Sequence, residues 1–216
     1  MKSKHHFAIL LGGDVTPTAR LFQQIAGARV IAADSGMKHA AALGLTPELW
    51  VGDFDSSMPD LQAAYATVPR ESYPTNKAVT DGAIAIEAAL ARGAQHMVLV
   101  GASGGQFDHA LAHGTQLLDL SQRRTACFAT SGHEEIHPLL HDLKLPDLPL
   151  GTRLSIVGLS TLEGLSISGV RWPLQHRNVP CGSTLTLSNE TMGKVSITLE
   201  LGMALVMAYP AGSTAN

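Results

Sequence analysis

The chain has 216 residues, of which 45% are hydrophobic and 15% charged, enough apolar material for one large domain or two small ones. The formal net charge of -3 and the absence of a basic run exclude an electrostatically driven nucleic-acid partner. No apolar stretch is long enough to cross a bilayer and no signal peptide precedes the first apolar run, so we expect a cytoplasmic protein with no membrane partner. Cys127 and Cys181 lack metal-type spacing and are expected to be reduced.

Apolar runs alternate with alanine-rich helical patterns in the first part of the chain. Strands are predicted near residues 6–11, 28–33, 48–51, 96–101 and 125–130, with helices between them. Because parallel sheets with crossover helices are covered on both faces, this pattern predicts an N-terminal three-layer α/β domain over residues 1–140. The segment from Pro138 to Leu150 has three prolines and no clear period, and we interpret it as a linker.

Beyond Gly151, short β-branched runs broken by glycine replace the helical patterns. Their period-two alternation predicts five strands and a small all-β sandwich domain over residues 148–216. A domain of this size with open sheet edges favours dimerisation. The five runs are Leu154–Val157, Leu165–Ser168, Thr184–Leu187, Val195–Leu199 and Ala204–Met207.

Acidic residues follow a predicted strand and open a predicted helix. Asp53 and Asp55 are separated by one residue at a strand end, so both carboxylates can reach one hard cation such as Mg²⁺. Asp81 follows Thr80 at the start of an apolar periodic segment, and Lys77 lies just upstream, where a cation could meet a phosphate. Each motif also has an explanation as a helix N-cap, because Asp, Ser and Thr accept hydrogen bonds from free backbone N–H groups.

A glycine-rich turn from Gly101 to Gly105 lies between a predicted strand and a predicted helix, and Gln106 follows it. Backbone N–H groups and the helix dipole make such a turn an anion site, and a plain tight turn is the alternative. Sites in parallel sheets form at the carboxyl ends of strands. We therefore expect one sheet edge to gather Asp34, Asp53, Asp55, Ser103 and Asp108.

Trp172 lies beside a proline in a glycine-bounded loop. Its indole could pack in a core, or it could stack on an aromatic, cationic ligand. Ser188 and Asn189 could hydrogen-bond to the same ligand or form a simple β-turn.

The ten histidines show no zinc-like spacing. His109 differs from the others only because it follows Asp108, which it could cap or orient. The remaining nine, among them His39, His96 and His113, are expected at the surface or in structural roles.

In order and spacing, these motifs resemble the thiamine pyrophosphokinase (thiamine diphosphokinase) family over nearly the whole chain. Gly169 to Leu174 also looks like the family's lead-in to its C-terminal motif. Ala78 stands where the family pattern has an acidic residue, and Gln106 stands where it has an arginine. The matching segments are Asp34 to Gly36, Gly52 to Ser56, Lys77 to Asp81, Gly104 to His109, and Ser188 to Glu190.

The resemblance implies transfer of a pyrophosphoryl group from ATP to thiamine, giving thiamine diphosphate and AMP, in a homodimer. It implies Mg²⁺ held by Asp53, Asp55 and Asp81, with Asp108 as a further catalytic carboxylate. The ATP-binding residues it implies are Asp34, Lys77, Thr80, Ser103, Gly104, Gly105 and Gln106. The thiamine-binding residues it implies are Trp172, Ser188 and Asn189.

The departures at Ala78 and Gln106 leave two alternatives open. An amide cannot neutralise phosphate charge as a guanidinium does. One alternative is another Mg²⁺-dependent nucleotide phosphotransferase or hydrolase on the same scaffold. The other is a thiamine- or nucleotide-binding protein with weakened turnover.

Overall fold

The structure is a computed structural model that describes residues 3–54, 59–74, 78–145 and 147–210. The chain forms two compact units, one of Met1–His113 with Arg124–Gly132, the other of Gly114–Arg123 with His133–Asn216. No helix among the described residues is long and apolar enough to cross a membrane. The helices are α1 (Ala19–Gln24), a 3₁₀ helix (Asp34–Lys38), α2 (His39–Ala42), α3 (Pro59–Ala64), α4 (Asp81–Ala91) and α5 (Phe107–Gln122).

The first unit contains a parallel sheet with strand order β6-β5-β1-β2-β3-β4. This order reverses between β1 and β5, which makes their carboxyl ends a topological switch point, the place where open α/β sheets bind ligands. The strands are β1 (His6–Leu10), β2 (Arg29–Ala33), β3 (Leu49–Gly52), β4 (Arg70–Ser72), β5 (His96–Val100) and β6 (Ala126–Thr130).

Both faces of this parallel sheet are buried. Four consecutive residues of β1, Phe7 to Leu10, are each 0% exposed, although successive side chains point to opposite faces. Met37 and Trp50 belong to the core on one face, and α4 packs against β1, β2 and β3. The predicted three-layer α/β fold and its five predicted strands are therefore confirmed. Strand β4 was not predicted because Arg70-Glu71-Ser72 contains no apolar run.

The second unit is an antiparallel β structure. Strand β12 takes part in two sheets, since Asn189 pairs with Leu154 of β9 and Ile197 pairs with strands β8 and β10. Apolar residues from both sheets form one core, as predicted for a β-rich domain. The strands are β7 (Glu135–Leu139), β8 (Leu143–Lys144), β9 (Arg153–Gly158), β10 (Leu162–Val170), β11 (Leu174–Val179), β12 (Asn189–Thr198) and β13 (Ala204–Tyr209).

Two sequence interpretations are wrong. The proposed linker from Pro138 to Leu150 contains the end of β7 and the whole of β8, and Pro138 pairs with Leu205 despite its missing N–H. The run Thr184–Leu187 is a loop and not a strand. Its two leucines are exposed, and its inward-facing residue is Thr186, whose hydroxyl donates to Ile156 O at 2.6 Å.

Candidate active site

A cavity of about 320 Å³ lies at the carboxyl ends of β1, β2 and β3, and we call it the acidic cavity. Three carboxylates, those of Asp34, Asp53 and Asp81, come from three different segments of the chain. The predicted site residue Thr80 also lines it. The full lining is Leu11, Gly12, Ala33, Asp34, Ser35, Asp53, Val79, Thr80, Asp81, Gly82, His109 and His113.

The backbone of Asp34 is held in an unusual conformation. Its φ of 42° lies in the left-handed region, which costs a non-glycine residue about 1 kcal/mol or more. The buried indole of Trp50 donates from Nε1 to Asp34 O at 2.9 Å. A Cβ on Gly52 would lie 3.2 Å from Asp34 Cα, so this glycine permits the close approach. Trp50 is a core residue, and its hydrogen bond also positions Asp34 in the lining of the acidic cavity.

Thr80 and Asp81 begin α4. The Thr80 hydroxyl accepts a hydrogen bond from Ala83 N at 3.2 Å, so the N-cap interpretation of this residue is correct. Asp81 lies in the first turn, where the helix dipole favours a carboxylate. Because both residues also line the acidic cavity, their capping position and a ligand-binding role are compatible.

A second cavity of about 290 Å³, the glycine cavity, lies between the loops that follow β1 and β5. Gly13 N donates to Gly101 O and Asp14 N donates to Ser103 O, both at 3.0 Å. A Cβ on Gly13 would lie 2.5 Å from Gly101 O, so only glycine permits this contact. The full lining is Gly12, Gly13, Ser35, Gly101, Ala102, Gly104, Gly105, Gln106, His109 and His113.

Two basic side chains contact the backbone of Gly12 and Gly13 in the loop that follows β1. Lys38 Nζ donates to Gly12 O at 2.7 Å, and His39 Nε2 lies 2.9 Å from Gly13 O. Burial lowers the pKa of His39 below its ordinary value, so the ring is neutral at pH 7. Because its partner is a carbonyl, Nε2 carries the proton and donates. His39 is thus structural, as expected, and it positions a loop of the site.

The remaining predicted residues of the first unit differ in where they lie. Asp108 is exposed in the first turn of α5, where it accepts from His109 N at 2.9 Å. Neither Asp108 nor Ser103 is among the described residues that line the two cavities. Asp55 and Lys77 lie outside the described residues.

His113 lines both cavities, although it was expected only at the surface or in a structural role. Ser35, which was not predicted as a site residue, does the same. A signal for His113 was available, because His109 and His113 are four residues apart and so share one face of a helix. Their ring centroids are 6.4 Å apart with planes at 70°.

The donor chemistry of the acidic cavity fits Mg²⁺. Among the described residues, no three His, Cys, Asp or Glu side chains are arranged to hold a metal ion by themselves. Mg²⁺ in nucleotide sites is bound by one or two carboxylates, with phosphate and water oxygens completing its shell. The carboxylates of Asp53 and Asp81, which line this cavity, suit an ion of this kind that enters with a polyphosphate.

Trp172, in the second unit, presents a partly covered aromatic surface. The side chain is 55% exposed, which excludes core packing of the whole ring. The guanidinium of Arg171 lies 5.0 Å from the ring centroid and also pairs with Glu190 at 3.3 Å. One face of the indole is therefore occupied by a cation, and a flat cationic ligand would need the other face.

Asn189 holds Trp172 in place. Its Oδ1 accepts from Trp172 N at 3.1 Å and from Glu190 N at 2.9 Å, while Nδ2 donates to Trp172 O at 2.8 Å. The predicted ligand-binding amide therefore positions the aromatic residue through its backbone. Ser188 has a left-handed φ of 57°, and its N–H donates to Ser155 Oγ at 3.0 Å.

Comparison with protein families accounts for both units. The model of the thiamin pyrophosphokinase catalytic domain matches residues 23–129, and the model of the vitamin B1 binding domain of the same enzymes matches residues 140–204. The chain belongs to the thiamin pyrophosphokinase family. Enzymes of this family transfer pyrophosphate from ATP to thiamine, so the activity implied by the motifs is confirmed.

Solved thiamin pyrophosphokinase structures have the same fold. The enzyme from Bacillus subtilis is 19% identical, with a TM-score of 0.81 over 95% of this chain and 99% of its own. The Geobacillus thermodenitrificans enzyme is 23% identical (TM-score 0.79, coverage 97% and 99%), and the Candida albicans enzyme is 14% identical (TM-score 0.79, coverage 95% and 89%). No curated protein matches this sequence.

Proposed function

We propose that pyrophosphate transfer takes place in the crevice after β1 and β5, with the phosphates of ATP spread over the acidic and glycine cavities. The observation that carries this proposal is that the two cavities adjoin. They share Gly12, Ser35, His109 and His113, so carboxylates and glycine-loop backbone face one continuous ligand. The Gly104-Gly105 loop and the start of α5 supply backbone N–H groups for phosphate oxygens.

Mg²⁺ would be held by Asp53 and Asp81, together with Asp55, which is two positions after Asp53 in the sequence. When bound, the ion neutralises phosphate charge and aligns the β-phosphate for in-line attack. Asp34 and Thr80, which line the same cavity, would complete the polar surface around the nucleotide.

The reaction itself needs alignment more than covalent catalysis. The hydroxyethyl oxygen of thiamine forms a bond to the β-phosphorus of ATP, and the bond from that phosphorus to the bridging α-oxygen breaks. AMP leaves with the bond's electron pair, and the alcohol proton passes to a carboxylate. Asp108 is the proposed acceptor, by the position of its motif in the family pattern.

Thiamine would stack on Trp172 of a homodimer in which the acidic loops of one chain face Trp172 and Ser188 of the other. The exposed apolar side chains of the second unit support an interface, since Trp172, Leu185 and Met192 are all more than half exposed. Cytoplasmic location, where ATP is available, is part of the same proposal. The two free cysteines, Cys127 and Cys181, are consistent with it.

The decisive experiment measures AMP release with and without thiamine. We expect release only with thiamine, and we expect Asp53→Asn to abolish it, because one carboxylate of the Mg²⁺ site is lost while the fold remains. The matched control is Asp119→Asn, at an exposed position on α5 that pairs only with Arg123 among the contacts described. This control should keep full activity.

Three outcomes contradict the proposal. Full activity in Asp53→Asn would contradict the role of Asp53 as a Mg²⁺ ligand. AMP release that does not need thiamine would favour the nucleotide hydrolase. Binding of ATP and thiamine without release would favour the weakened binding protein.

A further inference from the structure

His113 lies where the two cavities meet. It is in the second turn of α5 and lines both the acidic and the glycine cavity. Its ring lies edge-on to that of His109 at 6.4 Å, so the two imidazoles form the helical wall of the crevice. A polyphosphate that spans both cavities must pass this wall.

The neighbouring helix leaves space for the His113 ring. Gly82 is in the first turn of α4, and a Cβ there would lie 3.2 Å from His113 Cε1 and 3.0 Å from Leu11 Cδ2. Both distances are tighter than ordinary van der Waals contact. Gly82 thus allows the imidazole to lie against the start of α4, beside Thr80 and Asp81.

Within the described residues, the linings of the two cavities contain none of the cations that polyphosphate sites ordinarily use, and Lys77 lies outside those residues. Neither cavity is lined by a lysine or an arginine within the described ranges of the chain. Gln106 stands in the glycine cavity where the family pattern has arginine. Histidines 109 and 113 are therefore the only basic side chains among the described residues of the two linings.

We propose that His113 is a phosphate-binding residue that donates an imidazole N–H to an oxygen of the ATP polyphosphate at the junction of the two cavities. This inference rests on the proposed position of ATP. A neutral imidazole carries one N–H and a charged one carries two, so the ring has a donor in either protonation state. Hydrogen bonds to charged oxygens are stronger than those between neutral groups.

The test separates the N–H group from the shape of the ring. His113→Phe keeps a flat ring but has no N–H, whereas His113→Asn keeps an N–H donor. The matched control is His96→Phe, the same change at an exposed residue at the amino end of β5, away from the carboxyl-end crevice. Isothermal titration with Mg²⁺ present measures binding of ATP and of inorganic tripolyphosphate, without thiamine.

We expect His113→Phe to lower the affinity for both ligands at least about tenfold. His113→Asn should bind both ligands more tightly than the Phe variant, and His96→Phe should bind them like the parent. Equal weakening in the Phe and Asn variants would indicate a structural role and overturn the proposal. A lower affinity for ATP without a lower affinity for tripolyphosphate would also overturn the proposal. So would a folded Phe variant that binds both ligands like the parent. If the Phe variant does not fold, His113→Ala takes its place under the same criteria.

This test is independent of the overall activity. If the parent binds ATP and tripolyphosphate but releases no AMP with thiamine, the proposed function fails. The His113 comparison keeps its meaning in that case, because it measures binding alone. A change confined to the KM for thiamine would contradict a phosphate contact.

Discussion

Single residues at the ends of β2 and β3 control the geometry of the acidic cavity. Asp34 and Phe54 have a left-handed backbone conformation, with φ of 42° and 61°, which residues other than glycine rarely adopt. The Trp50 indole fixes Asp34 by a hydrogen bond, and its ring contacts Phe54 edge-on at 5.0 Å. One buried tryptophan therefore holds both strained residues, and strain of this kind is typical of functional sites.

Gln106 is the residue that departs most directly from the family pattern, and it lines the glycine cavity. We expect Gln106→Arg to raise thiamine-dependent turnover about tenfold, because a guanidinium would add roughly 1.4 kcal/mol of stabilisation to charge developing on the phosphates. Initial rates of AMP release check this. Gln106→Lys is the control for charge without bidentate geometry, and an unchanged rate in the Arg variant would show that the site has been rebuilt around the amide.

At the scale of elements, the helices that begin at the crevice were predictable and the polar edge strands were not. Helix α4 has a Thr-Asp start followed by an apolar period, and the local signals agree with the fold. Strands β4 and β11 carry mostly exposed polar side chains, so their sequences lack the alternation of apolar and polar residues that predicts a strand. They form because a neighbouring strand offers its free backbone groups.

Replacing the cap of α4 tests its energetic contribution. We expect Thr80→Ala to lower the free energy of unfolding by about 1 kcal/mol, because Ala83 N loses its hydrogen-bond acceptor. Thr80→Ser keeps a hydroxyl and should retain most of this stability. Urea denaturation of the three proteins checks the order, and equal midpoints would show that the cap does not contribute.

At the scale of the whole molecule, the proposed intersubunit site predicts complementation. Asp53→Asn and Trp172→Ala should each be inactive alone, since one lacks a metal ligand and the other the aromatic wall. In a mixed dimer, one site carries both changes and the other carries neither. After free subunit exchange, about a quarter of the parental activity should return, because half of the dimers are mixed and each has one intact site of two.

The control for this experiment mixes Asp53→Asn with Asp81→Asn. Both changes belong to the acidic cavity, so each site of the mixed dimer keeps one defect and activity should stay absent. If exchange is demonstrated by mass and the Asp53→Asn and Trp172→Ala mixture still shows no activity, the site lies within one chain.

The sequence by itself determined the fold class, five of the six strands of the parallel sheet and the family. Buried strands are continuous apolar runs, and the motifs are local in the chain, so both can be found from neighbouring residues alone. Asp53, Thr80 and Asp81 were selected in this way, and the structure gathers them with Asp34 in one cavity.

Only the tertiary structure decided the strand order, the shared cavity and the contacts of single side chains. The reversal between β1 and β5 depends on which crossover packs on which side of the sheet, and no local pattern encodes that choice. His113 became part of the site because α5 turns it toward two loops that are about 100 and 10 residues away along the chain. The amide atoms of Asn189 bind the backbone of Trp172, because a polar residue that is only 7% exposed must satisfy its hydrogen bonds within the protein.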